Sequence, residues 1–291
     1  MRGRPTRRFR RQSPRRLVPS RRRGPTSVRS RSLRVETLEN RLLLSTYTVT
    51  NALDSGAGSL RWAVEQANAS AGPDEIGFNI PGPGQHSIQA LSALPEITGP
   101  VLLDGYTQPG AAPNNNPMEQ GLNTVLKIEL DGSLAGAGVD GLRISGGGTT
   151  IRGLAVNRFA GEGIALYSED GNVVQGNFIG TDVSGTVALG NGRDGVDLDS
   201  SSFNWIGTNG DGLGDAGERN LISANGLDGC SIFQGRDNVI AGNFLGTDAR
   251  GIVALGNQSY GVTVGGPSAQ FNRVGTNGDG VADATEANLI S

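Results

Sequence analysis

Two stretches of the sequence carry closely spaced acids among glycines. Residues 207–223 read GTNGDGLGDAGERNLIS and residues 275–291 read GTNGDGVADATEANLIS, with 13 of 17 positions identical. Carboxylate and amide oxygens at this spacing, beside glycines that allow a sharp turn, are typical calcium ligands. The spacing does not match an EF-hand, so glycine-enabled turns with solvated acids are the alternative. The candidate calcium ligands are Asn209, Asp211, Asp215, Glu218, Asn277, Asp279, Asp283 and Glu286.

A second set of acids could support catalysis. The stretch RDGVDLD contains Asp194, Asp197 and Asp199, and Arg143 falls on the same predicted strand face two coils earlier. A polysaccharide lyase or glycoside hydrolase needs such a local, non-repeated cluster. Two coils separate the acids from Arg143 by roughly 9.6 Å, which is loose for a paired mechanism. The alternative is that these acids keep an exposed face soluble.

The sequence contains too few cysteines and histidines to form the catalytic pairs or zinc sites that these residues build in other proteins. Cys230 is the only cysteine and His86 the only histidine, and they lie far apart in sequence. The chain therefore predicts no intrachain disulfide, no Cys/His catalytic pair and no His/Cys zinc site. Tyr106, beside AAPNNNP, could be a sugar-stacking platform or part of a surface loop.

The elements that position these residues form a repeat. From Asp140 onward a short strand pattern recurs as DGLRI, EGIAL, DGVDL, DGCSI and YGVTV. Each of the last four is followed by a second and a third short strand pattern. Three short strands in about 22 residues are typical of one turn of a parallel β-helix. Two kinds of loop alternate, so the full repeat is two coils.

Alternation assigns the faces of these strands. Leu142/Ile144, Ile164/Leu166, Val196/Leu198, Cys230/Ile232 and Val262/Val264 are predicted to point inward, and Arg143, Ala165, Asp197, Ser231 and Thr263 outward. Cys230 thus occupies a core position as a small hydrophobe. The recurrent Asn172, Asn204, Asn238 and Asn272 predict an inward ladder that bonds one coil to the next, with Asn220 and Asn288 as further rungs.

Residues 46–130 predict an N-terminal cap. After the strand pattern TYTVTN, Ser59 is a candidate N-cap, and Leu60, Ala63, Val64 and Ala67 fall on one helical face. A helix laid across the end of a solenoid covers its apolar core.

The charge is divided along the chain. Residues 1–41 hold 15 Arg and two Glu, whereas the remainder holds ten basic and 26 acidic residues. Residues 1–34 have too little apolar sequence to fold alone, so a basic arm or address is predicted, with nucleic acid an unlikely partner because the body would repel it. No apolar run is long enough to span a bilayer.

Three motifs resemble known bacterial segments. VETLENRLLLS (35–45) resembles the LEPR-XLL segment of planctomycete-type envelope proteins, departing at Asn40, and implies export or surface placement. VTNALDSGAGSLRWAVEQANASAGPDEIGFNI resembles the CSLREA-type region that opens right-handed parallel β-helix proteins, as GPVLLDGYTQPG resembles their IDGTTQPG turn. The resemblance implies a pectate-lyase-like fold and does not settle function.

Together these patterns predict an all-β chain. We expect a disordered arm over residues 1–45, a cap over 46–130, and right-handed parallel β-helix coils over 131–291, with one short helix. The predicted function is an exported or cell-surface structural or adhesive solenoid without catalytic activity that could bind carbohydrate or other envelope components; a polysaccharide lyase or glycoside hydrolase is the alternative. No cofactor is expected beyond the calcium candidate. Since NLIS at 220–223 is followed by another coil, further coils are expected beyond Ser291.

Overall fold

The computed structural model describes residues 44–291. The Arg-rich arm and nearly all of the LENRLLLS segment lie outside the described residues. Within the described part, no helix is long and apolar enough to cross a membrane.

The part of the chain that the structure describes contains twenty short strands. The first eight are β1 (Ser45–Val49), β2 (Asp74–Phe78), β3 (His86–Gln89), β4 (Val101–Asp104), β5 (Ile128–Asp131), β6 (Leu142–Ile144), β7 (Thr150–Arg152) and β8 (Leu154–Asn157). The next six are β9 (Ile164–Tyr167), β10 (Val173–Gln175), β11 (Phe178–Ile179), β12 (Val196–Asp199), β13 (Trp205–Gly207) and β14 (Leu221–Ile222). The last six are β15 (Cys230–Phe233), β16 (Val239–Ala241), β17 (Phe244–Leu245), β18 (Val262–Gly265), β19 (Arg273–Val274) and β20 (Leu289–Ile290).

The strands form three parallel sheets. Sheet A has eight strands in the order β1-β2-β4-β7-β10-β13-β16-β19, sheet B has seven in the order β20-β17-β14-β11-β8-β5-β3, and sheet C has five in the order β18-β15-β12-β9-β6. From β6 onward the chain passes through sheets C, A and B in turn, and each passage is one coil. Every strand pairs in parallel with its counterpart in the neighbouring coil, for example Val196 with Cys230 and with Ile164.

Helices are more numerous than the sequence predicts. The described residues contain α1 (Leu60–Ala69), α2 (Asp215–Glu218) and α3 (Asp283–Glu286), together with 3₁₀ helices at Gly105–Thr107 and Met118–Gln120. The predicted fold class therefore requires correction: the structure has three parallel sheets of eight, seven and five strands with five short helical segments, and the all-β description with a single helix is wrong. Each sheet is open, with two edge strands.

The N-terminal segment joins the same sheets. Strands β1, β2 and β4 extend sheet A and β3 extends sheet B. The predicted start of α1 is confirmed, because the Ser59 hydroxyl accepts the Trp62 N–H at 3.2 Å. Its predicted apolar face is also confirmed: Leu60, Ala63, Val64 and Ala67 are all buried.

Side chains of all three sheets meet in one core. The inward residues predicted for β6, β9, β12 and β15 are buried, Cys230 among them. In β18, Val262 is half-buried and Val264 is exposed, so the predicted inward pair is not buried there. Ala165, which is predicted to face outward, is fully buried. Arg143, its partner on β6, extends over the ring of Tyr167, which lies on the same face of β9 as Ala165.

Asparagines tie one coil to the next. The Asn172 N–H donates to Asn204 Oδ1 at 2.8 Å, Asn204 N–H to Asn238 Oδ1 at 2.9 Å, and Asn238 N–H to Asn272 Oδ1 at 2.9 Å. A second ladder runs through Asn177, Asn220, Asn243 and Asn288. Each amide satisfies a turn N–H that would otherwise be buried without a partner.

Candidate active site

The predicted acids on sheet C do not converge with Arg143. Asp197 is in register with Ala165, and Ala165 with Arg143, which places the acid and the arginine two strands apart. The Arg143 guanidinium lies 3.9 Å from the centre of the Tyr167 ring and forms ion pairs with Glu96 at 3.5 Å and Asp140 at 3.7 Å. Burial raises the pKa of Asp197 to about 6.

Asp194 and Asp199 have structural partners. The Asp199 carboxylate accepts the Ser200 hydroxyl at 3.0 Å. Asp194 accepts the Asp228 N–H at 2.6 Å, and the same bond recurs where Glu162 accepts the Asp194 N–H at 2.5 Å and Asp140 accepts the Glu162 N–H at 2.9 Å. Asp194 is thus a rung in an acidic ladder that joins coils, with its pKa raised by burial.

The first set of calcium candidates bonds mainly to its own loop. Glu218 Oε2 accepts the Asn209 N–H at 3.0 Å, and Asp211 Oδ1 accepts the Leu213 N–H at 2.7 Å. Asp215 Oδ2 accepts the Thr285 hydroxyl at 2.8 Å, which joins α2 to α3.

The second set repeats the pattern. Glu286 accepts the Asn277 N–H at 2.8 Å, Asp279 accepts the Val281 N–H at 2.7 Å, and Asp283 accepts the Thr276 hydroxyl at 2.9 Å. Over residues 44–291, no three His, Cys, Asp or Glu side chains converge as metal ligands would. Calcium binding by either loop stays a prediction.

Cys230 occupies the predicted core position. Its thiol is fully buried, and burial raises its pKa above the ordinary range. A thiol held in its neutral form is not a nucleophile.

A groove lies on the outer side of sheet A and was not predicted. One part is a cavity of about 370 Å³ lined by Tyr106, Pro113, Asn114, Arg152, Gln175, Leu213, Gly214, Gly217 and Glu218. The adjoining part is a cavity of about 420 Å³ lined by Thr150, Val173, Gln175, Trp205, Asn209 and Glu218. The two cavities share Gln175 and Glu218, and we call them together the sheet A groove. Its volume is in the range that holds small ligands.

Strand register positions the floor of the groove. Asp104, Arg152 and Gln175 are direct partners on β4, β7 and β10, so their side chains stand in one row on the same face. Asp104 Oδ2 accepts a hydrogen bond from Arg152 Nη2 at 2.7 Å, and this bond raises the pKa of Arg152. Arg152 Nε is buried and has no hydrogen-bond partner among the described residues. The Arg152 side chain is nevertheless 38% exposed, and a cation oriented by Asp104 suits an anionic group such as a carboxylate.

Tyr106 forms a wall of the groove. Its hydroxyl donates to the Gly176 carbonyl at 2.7 Å, and burial raises the pKa of the phenol. Gly176 has a φ of 66°, and a Cβ there would lie 2.5 Å from the Tyr106 oxygen. The contact therefore requires glycine at this position, and Tyr106 stays neutral as a structural donor.

Glu218 is the acid of the groove. Burial raises its pKa, against the lowering effect of hydrogen bonds from the Asn209 N–H and the Thr208 hydroxyl. We call the repeat unit that contains residues 207–223 the first copy and the unit that contains residues 275–291 the second copy. The counterpart of Glu218 in the second copy is Glu286, which is fully buried and accepts a hydrogen bond from Arg273 Nη1 at 2.9 Å. Trp205 stands where the second copy has Arg273. Glu218 therefore lacks the arginine that neutralises Glu286.

The two acidic loops differ where the first one meets the groove. Four of their 17 positions differ: Leu213/Val281, Gly214/Ala282, Gly217/Thr285 and Arg219/Ala287. Leu213, Gly214 and Gly217 line the groove. Arg219 binds the Asn116 carbonyl at 2.9 Å, in the loop that supplies Pro113 and Asn114. In the neighbouring strand, Gln175 replaces Ala241 of the second copy.

Comparison with known proteins finds a relative with a named activity. No family model matches the chain. The chain is 30% identical over 259 residues to the 3-dehydroshikimate dehydratase of Acinetobacter baylyi, a match that covers 73% of this chain and 51% of the relative. The chain therefore spans about half the length of this relative.

These comparisons correct the expected family and function. The match is to an enzyme, which contradicts the expectation of a non-catalytic structural or adhesive protein. It also gives no support to a polysaccharide lyase or glycoside hydrolase, because the relative is named a dehydratase. The resemblance to planctomycete-type repeat proteins is not supported by any family model. Carbohydrate as a partner stays a prediction.

The groove cannot be predicted from the residues that the two copies share. Residues common to both copies maintain the stack, whereas Trp205, Gly217 and Arg219 distinguish the first copy. Comparing the copies for differences would have found one side of the groove. The side that contains Tyr106 and Asn114 comes from residues about 100 positions earlier, and no local pattern links them to α2.

Proposed function

We propose that the sheet A groove catalyses loss of water from a small hydroxylated keto acid of the 3-dehydroshikimate type. The observation that carries this proposal is a pair of charges in one cavity: Arg152, a fixed cation, and Glu218, a half-buried carboxyl with no arginine partner. The similarity to a dehydratase supports the reaction class. Because the chain spans half of that relative, the substrate is proposed as a chemical class.

Substrate binding would use the row on the floor of the groove. The Arg152 guanidinium would bind the substrate carboxylate, with Asp104 fixing its orientation. The Gln175 amide can donate to the keto oxygen and stabilise the negative charge that develops there. Trp205 would lie against the face of the ring, where an aromatic side chain adds contact area and excludes water.

Glu218 would move the proton. Its carboxylate would take a proton from the carbon next to the keto group, and the electrons of that C–H bond would pass through the enolate into the new C=C bond. As the adjacent C–O bond breaks, the departing hydroxide would take the same proton from Glu218 and leave as water. The carboxylate is thereby regenerated without a cofactor. A pKa raised above the ordinary value of a glutamate suits a group that both accepts and returns a proton.

The direct test is turnover by the full chain. Purified protein is incubated with 3-dehydroshikimate, and the reaction is followed by mass spectrometry for a product lighter by one water. Ultraviolet absorption follows the aromatic ring that forms when the dienone left by dehydration enolises, with a ring CH2 proton moving to the keto oxygen. Heat-denatured protein is the control. We expect product to accumulate in proportion to native protein. A rate equal to that of the control would refute the proposal.

We further propose that the chain is exported. The support is the resemblance of VETLENRLLLS to the LEPR-XLL segment. Fractionation of the producing cells, with and without residues 35–44, tests this placement. Equal retention of both forms inside the cell would contradict it.

A further inference from the structure

We propose that Arg219 is a positioning residue that holds the loop of residues 111–117 against α2 and so sets the wall of the groove that faces Glu218. The inference rests on the proposed function for its catalytic consequence, whereas the contact itself is independent of any substrate. Arg219 is the largest fully buried side chain of the described residues, with 1% of its surface exposed. A charged side chain is seldom buried to this extent without a specific role.

The contacts of Arg219 lead to one loop. Nη1 donates to the Asn116 carbonyl at 2.9 Å, while Nε is buried and has no hydrogen-bond partner within residues 44–291. Glu119 and Asp215 are the acids whose charges favour the cationic form, and desolvation opposes them by lowering the pKa. Burying this cation therefore costs free energy, and the group that the cation binds is the Asn116 carbonyl.

Two further contacts join the same loop to α2. The Asn114 amide donates to the Ala216 carbonyl at 2.8 Å. Gly217 lies so close to Pro113 that a Cβ on the glycine would be 3.1 Å from the proline Cβ. The loop thus contacts α2 at Ala216 and Gly217 and contacts Arg219 directly after the helix, so that its contacts lie on both sides of Glu218. Any loosening of the loop would widen the groove next to that carboxyl.

The second copy shows what α2 would be without this role. Ala287 replaces Arg219, and Thr285 replaces Gly217, where its hydroxyl bonds to Asp215 instead of leaving room for a loop. A stack can therefore be built from this unit without a buried arginine. Arg219 does not line the groove, so it would act through the loop and not on the substrate.

Arg219→Met is the informative variant. Methionine fills similar space and removes the bond to the Asn116 carbonyl. Because Arg219 forms no salt bridge within residues 44–291, the change leaves no carboxylate unpaired, and Asn116 is only half-buried, so water can replace the lost donor. We expect an unchanged melting temperature, faster amide exchange in residues 111–117, and kcat lowered by about 10- to 100-fold, because small misplacements of reacting groups are costly. Water entering the widened groove should lower the pKa of Glu218 and move the acid limb of the pH profile to lower pH.

Two variants complete the test. Arg219→Lys keeps a donor that can reach the Asn116 carbonyl and should recover part of kcat and of the exchange protection. Arg236→Ala, which removes an exposed arginine away from the groove, should match the wild type.

Unchanged amide exchange in Arg219→Met would overturn the positioning role. If the wild type itself does not dehydrate the substrate but the loop is released, the proposed function fails and the structural part of the inference stands. If the wild type is active and the variant keeps its kcat and pH profile, the inference is refuted.

Discussion

Replacing Glu218 by glutamine separates catalysis from folding. Glutamine has the same shape, and its Oε1 can still accept the hydrogen bond that the carboxylate now accepts from the Asn209 N–H. It cannot take up and return a proton. We therefore expect dehydration to be lost while the fold is kept.

The magnitude follows from the role of the group. General acid–base catalysis by a positioned side chain contributes about 10²- to 10⁴-fold, or roughly 3–5 kcal/mol of transition-state stabilisation. We expect kcat to fall by about this factor and KM to change little, since Arg152 and Gln175 bind the substrate. Burial disfavours the charged form of Glu218, so the neutral amide should leave the melting temperature at pH 7 unchanged or slightly higher.

Glu286→Gln is the matched control in the second copy. Glu286 is fully buried and bound to Arg273, whose side chain is 21% exposed, so neutralising the acid weakens an ion pair that is largely desolvated. We expect a loss of about 2 kcal/mol, which corresponds to a melting temperature lower by roughly 4–8 °C in a domain of this size. Activity should be retained, because Glu286 does not line the groove.

The assay combines initial rates with thermal unfolding for both variants. We expect Glu218→Gln to lose activity and keep its melting temperature, whereas Glu286→Gln should keep its activity and unfold at a lower temperature. Wild-type activity should also rise with pH through a value above the ordinary pKa of a glutamate, because the ionised carboxylate is the base. Similar losses of activity in both variants would refute the distinction between a catalytic and a structural copy.

Four other outcomes follow from the geometry. Arg152→Ala should lower kcat/KM for a carboxylate substrate by about 100-fold, or roughly 3 kcal/mol, measured by initial rates; an unchanged value would remove Arg152 from the site. Asn204→Ala leaves the buried Asn172 N–H without its acceptor and should lower the melting temperature by roughly 4–12 °C, for a loss of about 2–3 kcal/mol. Burial raises the pKa of Glu162 to about 7, so its contribution to stability is present below pH 4.5 and lost as pH rises to about 7; Glu162→Gln should flatten this part of the stability profile in urea titrations, and an unaltered slope would contradict it. Since the acids of both loops bond to their own backbone or to nearby hydroxyls, adding calcium or a chelator should leave the melting temperature unchanged, and a calcium-dependent rise would show a site in these loops.

Local patterns predicted the strands well. The alternation in DGVDL and DGCSI fixes which side chains enter the core, and the parallel pairing of Val196 with Cys230 follows from the repeat length. The Asn172 ladder could be predicted because an amide that recurs at each coil has a structural use wherever parallel strands stack. Ser59 and the apolar face of α1 were predictable for the same local reason.

The groove could not be predicted because it depends on contacts that are distant in sequence. Arg219 and Asn116 are 103 residues apart, and Tyr106 and Gly176 are 70 apart. Repetition along the chain indicates a structural role for Asp194 and its acidic ladder, but it does not do so for Glu218. The two copies of the acidic loop have diverged, and an arginine partner is missing from only one of them.

The most direct test of the proposed site is a crystal structure of Glu218→Gln with 3-dehydroshikimate bound. An inactive variant that keeps the binding residues should trap the substrate unreacted. We expect the substrate carboxylate at the Arg152 guanidinium, the keto oxygen at Gln175, and the carbon that loses its proton next to the residue 218 amide. Substrate bound elsewhere, such as on the outer face of sheet C beside Asp197, with the sheet A groove empty, would contradict this assignment.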